Sequence, residues 1–488
     1  MKPGARNILA LAAAVLAFLW IAAGLRPPAP APGEFDFAAF GRLTVLADGR
    51  VKNFDSLARE SLLALQARKT VLSSEGDRIG AVEWLLTLIA RPERADDIPV
   101  FLVHHPDLLA MLGQAGESRH RFSFDDIRPH GAEIQRQAEM ARELDREDRS
   151  VYQEALLKLD YSLALYWRLR HSLHFGDADQ VGEVLDRHQR VLRPILRKMR
   201  EQPTGSLPDA DVAEVQQAVF LYSSFADLAQ FFPIAYPHPE KPRGEWVSLG
   251  ESLARALDDV DIPPHVTGYR NVIERFAAGD ADGFNAHTRA LSSWLRGHFP
   301  EATDRASRES LFNRLDLFWK CAALYLGAFL LLCAFWVAPR LPVDRAALAL
   351  ILTALAAHTI GLAFRMYIQE RPPVTNLYAS AVFVGWGAVI LALLLEKIHR
   401  NTIGAAVAAL WGFLTLVVAH NLGNDGDTAE VMRAVLNSNF WLATHVVIIT
   451  IGYAAAFVLY PRFELFVDAF LFGFEDCITH LDCAILED

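Results

Sequence analysis

The chain has 488 residues, 52% hydrophobic and 22% charged, with 47 basic and 58 acidic side chains. Its mean hydropathy is +0.18. Such values exclude a disordered chain, a coiled coil and a collagen-like repeat, and the acidic balance gives nucleic-acid binding no electrostatic footing.

The average hides two unlike parts. Residues 315–488 hold 9 basic and 14 acidic side chains, whereas residues 1–314 hold 38 and 44. At the N-terminus, Ile8 to Leu25 is uncharged and long enough to enter a bilayer. Lys2 and Arg6 precede it, and Pro27-Pro28-Ala29-Pro30-Ala31-Pro32 follows. A cleaved signal peptide is the rival reading. The length of the apolar run favours a retained membrane anchor over residues 1–25.

Residues 26–314 read as a mostly helical domain with one small β element. Leu43 to Leu46 and Val51 flank Asp48-Gly49, which predicts a short hairpin. Asp55 or Ser56 then caps a helix running to about Lys69. Apolar residues recur at helical spacing over 79–90, 131–145, 150–175, 178–200, 209–231, 245–259, 269–278 and 283–297. The breaks are Gln202-Pro203-Thr204-Gly205, Pro233 to Pro242, and Ile262-Pro263-Pro264. No cysteine lies between residues 26 and 314, so there is no disulfide framework. Of eleven histidines here, His104-His105 and His171 with His174 are the closest pairs. Spacing places no third metal ligand beside them, and they read as solvated surface residues. Trp84, Trp167, Trp246 and Trp294 read as core. Hydrolase, phosphate-loop and zinc-protease motifs are absent.

Further apolar stretches run over 317–338, 346–364, 379–395, 402–420 and 440–460, giving about six spans in all. Lys320 can snorkel to the interface. With a cytoplasmic N-terminus, the inner segments carry Lys2, Arg6, Arg340, Arg345, Lys397, Arg400 and Arg462. The short outer loops carry only Arg365, Arg371 and Arg433, which supports that orientation. Residues 26–314 then lie outside the cytoplasm. The fold class is therefore an all-α, polytopic membrane protein with a large, mostly helical extracytoplasmic domain.

Two outer loops concentrate polarity. In the second, Asn437, Trp441 and His445 are spaced by four and share one helical stripe. His445 lies about one turn inside the outer boundary. An imidazole there can ligate haem iron or bond a neighbouring helix. His358 lies on the same face as Arg365, about 10 Å deeper. An intramembrane histidine is a functional candidate by default, and a structural hydrogen bond is its simpler explanation. His420 ends another span without distinguishing context.

The first outer loop carries a resemblance. Arg371-Pro-Pro-Val-Thr-Asn-Leu-Tyr-Ala-Ser380 is similar to the P-x-(S/T)-N-(L/M)-Y-E-S segment of the cytochrome c assembly family, of CcsA (ResC) type. Leu436 to Val446 resembles that family's segment around its first external haem-ligand histidine. Gly41 to Lys52 resembles the outer-domain start of members with a large extracytoplasmic domain. The resemblance implies a bacterial cytoplasmic-membrane protein that presents haem at the outer face for attachment to Cys-x-x-Cys-His apocytochromes c. It implies haem as cofactor, with His445 as an axial ligand beside Trp441 and Asn437. Arg371, Pro373, Thr375, Asn376 and Tyr378 would form the motif loop. A ResB/Ccs1-like subunit, apocytochrome c and membrane lipid would be the partners. Ala379 stands where the family has Glu.

After Trp441 the chain has no tryptophan, whereas the family continues into a W-G-x-x-W-x-W-D loop and a second external histidine. Residues 461–488 form an acidic tail with Cys477, His480 and Cys483, whose spacing is not a standard zinc pattern. A truncated or frame-shifted product, or half of a split gene, is the expectation, with the 315–460 part corresponding to the first half of the family's domain. That leaves the haem-lyase activity itself open. A non-catalytic, membrane-anchored scaffold that docks a biogenesis partner is the alternative. A transporter is disfavoured by the lack of paired repeats or broken helices.

Overall fold

The computed structural model describes residues 3–26, 30–73, 76–114, 120–173, 181–201, 208–258 and 262–423, with 448 and 452. Among these, the chain divides into two compact units. One holds residues 26–314, the other the N-terminal 25 residues and the chain from 315 onward.

Helix α1, Pro3–Ala22, begins the apolar unit and is followed by a 3-10 turn, Ala23–Leu25. The larger unit opens with α2, Phe37–Gly41. Strands β1, Thr44–Ala47, and β2, Arg50–Asn53, then pair antiparallel with Val45 opposite Lys52. Asp48 at φ 50° and Gly49 at φ 75° turn the hairpin, the two left-handed positions that a two-residue loop requires. Helix α3, Phe54–Gln66, is capped by Asn53, whose side chain accepts from the Ser56 N–H. The cap thus falls before the expected Asp55 or Ser56, because Asn53 leaves the strand in an extended conformation.

The rest of the unit follows in chain order: β3 (Thr70–Leu72), β4 (Arg78–Gly80), α4 (Ala81–Ala90), α5 (Pro92–Asp96), β5 (Phe101–Leu102), α6 (Pro106–Met111), β6 (Arg121–Phe122), α7 (Phe124–Ile127), α8 (Gly131–Arg142), α9 (Val151–His171), α10 (Val181–Arg187), α11 (Arg193–Glu201) and α12 (Asp209–Leu228). Then come β7 (Phe231–Phe232), β8 (Ile234–His238), β9 (Lys241–Val247), α13 (Leu249–Leu257), α14 (Pro264–Ala278), α15 (Ala281–His298) and α16 (Pro300–Leu315).

The single expected β element is corrected to several. A three-stranded sheet runs β2-β1-β7, and β3-β4, β5-β6 and β8-β9 form separate hairpins. The expected break at Pro233 to Pro242 is mostly the β8–β9 hairpin. The helix expected over 245–259 starts only at Leu249, after β9 and the Ser248 cap. A π turn, His188–Leu192, interrupts the helix expected over 178–200. One continuous core gathers Trp84, Phe54, Phe101, Tyr166, Phe231 and Phe284. Trp246 is also buried, whereas Trp167 is 39% exposed, against the core expectation, because it stands on the outer face of α9. His171, His188 and His265 are buried rather than solvated.

In the apolar unit, α17 (Leu317–Val337), α18 (Asp344–Gln369), α19 (Leu377–His399) and α20 (Ile403–Leu422) join α1. All five are long and apolar enough to cross a membrane, and the protein is an all-α, multi-pass membrane protein with a mostly helical second unit. The sixth expected span, 440–460, lies outside the described residues. Helix α17 packs on α18 and α20, α19 on α20, and α1 on α18. Small residues let these helices approach: Ala346, Ala347, Ala354, Ala388, Ala392, Ala405 and Ala409 are buried. A Cβ on Gly412 would meet the Tyr325 ring at 2.8 Å. Leu330, Leu352, Ile360, Leu394 and Val418 stay exposed, as lipid-facing side chains do. Helix α1 is tied at both ends: Arg6 lies 3.8 Å from Asp344, and Lys320 Nζ donates to the Ile21 carbonyl at 3.4 Å.

Candidate functional site

The motif loop joins α18 to α19. Helix α18 ends at Glu370, which takes the left-handed conformation at φ 52°. Pro372 and Pro373 follow, and neither can continue the helix. Val374 and Thr375 turn inward and are buried at 2% and 4% exposure. Asn376 caps α19: its Oδ1 accepts from the Ala379 N–H at 2.8 Å. The Ser380 hydroxyl donates back to the Asn376 carbonyl at 2.9 Å. The motif's Asn and Ser therefore close the first turn of the helix, and Ala379, in the place of Glu, supplies the capped N–H from a buried position.

Arg365, near the end of α18, is 6% exposed. Its guanidinium carbon lies 4.6 Å from the centroid of the Tyr378 ring, a cation–π contact joining the two helices. One turn beyond Arg365, Gln369 has a buried Nε2 with no hydrogen-bond partner among the described residues, and the buried Thr375 Oγ1 also has none. This corner gathers one permanent cation and two unused donors between helix ends.

His358 is fully buried in α18. Its Nε2–H donates to the Val382 carbonyl of α19 at 3.1 Å. Phe318 and Tyr325 of α17 pack edge-on to the imidazole at 5.7 and 6.2 Å. The ring therefore cross-links three helices from below the motif loop. His420 packs against Trp319 at 5.4 Å. Asn437, Trp441, His445, Cys477, His480 and Cys483 lie outside the described residues. In the larger unit, His105 caps α6, its Nδ1 accepting from the Asp107 N–H at 3.3 Å, while His104 packs on His120. No group of three metal-ligating side chains occurs among the described residues.

No family model matches the chain. Protein NrfI of Wolinella succinogenes is 24% identical over 428 residues, which is 85% of this chain and 40% of that protein. Cytochrome c biogenesis protein CcsA of Pyropia yezoensis is 29% identical over 133 residues, 26% of this chain and 41% of that protein. The CcsA of Synechococcus sp. strain CC9311 is 32% identical over 139 residues, 28% and 45% of the two chains. These similarities support the cytochrome c assembly family. The chain spans less than half the length of each of these relatives.

Within the apolar unit, the motif residues Thr375, Asn376 and Tyr378 fall in one corner, while His358 is set apart from it in the helix packing. Arg371 and Pro373 are half-buried on the connecting loop. Arg365 and Gln369 were not singled out as site residues by spacing. The available signal is a charged residue close to the end of an apolar span that has an aromatic motif residue following it. Asn376→Ala is expected to lower stability by about 1 kcal/mol through loss of the cap, with Asn376→Asp close to wild type; thermal unfolding in detergent measures both.

Proposed function

We propose that the chain takes part in cytochrome c biogenesis by presenting haem at the extracytoplasmic face of a bacterial cytoplasmic membrane for attachment to Cys-x-x-Cys-His apocytochromes c. The observation that carries this reading is the Arg371–Ser380 segment, whose motif residues make a capped, buried corner holding Arg365 against Tyr378. The similarity to NrfI, which runs through 85% of the chain, supports it. Haem is the cargo. His445 is the proposed axial ligand, with Trp441 and Asn437 on its stripe. The N-terminus is cytoplasmic, residues 26–314 are outside, and a ResB/Ccs1-like subunit and apocytochrome c are the proposed partners.

The test is the haem Soret band of the purified full chain titrated with haem, with and without His445→Ala. The wild type develops a shifted band and the variant loses it, because a neutral imidazole is a strong iron ligand. Identical spectra remove His445 from the ligand role.

A second reading, docking of a biogenesis partner by the larger unit, is favoured by one observation. Tyr161 and Trp167 on α9 and Phe220 on α12 are 60%, 39% and 76% exposed, and aromatic side chains of this kind anchor interfaces. A photo-crosslinker at position 220 captures the ResB-like subunit on this reading; its failure to do so in membranes removes it.

A further inference from the structure

We propose that His104 and His120 form a two-imidazole chelate for a divalent transition-metal ion, Cu(II) in first preference, on the surface of the larger unit. The inference does not depend on the haem-presenting reading.

The hairpin builds the pair. Strands β5 and β6 run antiparallel, with Phe101 opposite Phe122 and Leu102 opposite Arg121. The ladder goes one step further, because the Val103 N–H donates to the His120 carbonyl at 2.9 Å. His104 therefore leaves one strand beside the residue that enters the other. Phe101, Val103 and Phe122 are buried in the core, so both backbone ends are fixed before an ion arrives. His105, the neighbour in sequence, is committed elsewhere. Its Nδ1 accepts from the Asp107 N–H at 3.3 Å, and its ring stands edge-on to Tyr152 at 5.5 Å.

The spacing fits one shared ion. The ring centres of His104 and His120 are 4.9 Å apart, with 51° between the planes. A ligating imidazole nitrogen sits about 2.0–2.1 Å from its metal, which puts the ring centre about 3.2 Å away. Two rings on one ion then have centres about 4.5 Å apart at a right angle and about 5.2 Å apart at the tetrahedral angle. Both residues are exposed, so an ion can reach them. Neither imidazole has a hydrogen bond or an ion pair among the described residues. Each neutral ring thus keeps its lone pair for a metal.

The surroundings select the ion. Partial burial first, then His120, Arg121 and Lys158, lowers the His104 pKa, which keeps the ring neutral and able to ligate at pH 7. No carboxylate or thiol completes a group of three with the pair among the described residues. Hard cations such as Ca(II) and Mg(II) need oxygen ligands, and the basic neighbours repel an ion held by charge alone. Imidazole coordination suits Cu(II), Ni(II) and Zn(II), and the general order of affinity puts Cu(II) first.

The test is calorimetric titration of Cu(II) into the full chain in neutral detergent, prepared without a polyhistidine tag. Hydrogen exchange over residues 101–104 is followed in parallel. The wild type is expected to show a tight step ahead of weaker binding by scattered histidines. Exchange at the Val103 amide is expected to slow with Cu(II), because the ion bridges the two strand ends. His104→Gln and His120→Gln are each expected to weaken the tight step about tenfold or more and to abolish the slowing, while His105→Gln leaves both effects in place. Unchanged unfolding temperatures without metal exclude misfolding as the cause. A tight step that survives in either His104→Gln or His120→Gln overturns the chelate. No tight step in the wild type overturns it outright. Ca(II) binding as strong as that of Cu(II) overturns the imidazole assignment.

Discussion

Lys52→Met is expected to destabilise the larger unit by about 3 to 5 kcal/mol, the cost of breaking a buried ion pair from one side. Lys52 is completely buried on β2, and its Nζ donates to Glu60 at 2.6 Å and to Asp48 at 2.7 Å. The Asp48 side chain is 44% exposed and that of Glu60 19%, so Glu60 is the partner that loses most. Glu60 also accepts from Arg50 at 3.0 Å, and Arg50 donates to Glu309 at 2.9 Å. Glu309 in turn accepts from the Ser56 hydroxyl at 2.7 Å. One network thus ties the β1–β2 hairpin and the start of α3 to α16. Asp48, Arg50 and Lys52 of this network lie in the Gly41 to Lys52 segment, and the energetics give that segment a structural task. Thermal unfolding and limited proteolysis of the full chain report the loss. Lys52→Met with Glu60→Gln should cost less than the sum of the single changes, because the uncompensated carboxylate is gone. Strict additivity would refute a coupled pair.

The membrane-spanning helices were legible because a bilayer-length apolar run is the strongest pattern a sequence carries. Leu317–Val337 and Leu377–His399 fall within a few residues of their expected bounds. The short sheets were not legible. Phe101–Leu102 and Arg121–Phe122 have two residues each, too few to show an alternation. Lys241–Val247 mixes charged residues, Pro and Gly in a strand that the hairpin partner stabilises. The π turn at His188 leaves no local mark either. At the candidate site, Asn376 and Tyr378 stood out within the motif. The roles of Arg365 and Gln369 depend on what the α18–α19 turn brings back over them, and spacing along one helix does not report that. The buried histidines follow the same rule. His171 stacks toward Phe225 of α12 at 6.3 Å, and His188 bonds the Tyr222 hydroxyl at 3.1 Å; these contacts are tertiary, and the histidines are buried.

His265 carries that point to a measurable consequence: the larger unit is expected to lose about 3 kcal/mol of stability as pH falls from 6.5 toward 4. The imidazole is 2% exposed. Its Nε2 accepts from the Ala235 N–H of β8 at 3.1 Å, which fixes the proton on Nδ1. The ring stacks on Trp294 at 4.2 Å, and His298 covers the indole at 4.1 Å. Burial first, and the nearby His298 second, lower its pKa from 6.5 to about 4. Protonation would turn Nε2 into a donor facing the Ala235 donor, so the strand loses its anchor at the moment a charge enters the core. The folded pKa lies below the unfolded one, so the stabilisation is complete above about 6.5 and is lost as pH falls through about 4. The gap between those values corresponds to about 3 kcal/mol. His188, buried beside Arg193, is lowered in the same direction, so a wild-type curve alone does not isolate His265. His265→Gln supplies the comparison, since an amide oxygen can accept from Ala235 and does not titrate. Unfolding temperatures of both proteins across pH 7.5 to 4 should diverge at the neutral end and converge as the acid range is entered. A constant difference across that range would mean that His265 is not the group whose protonation the fold resists.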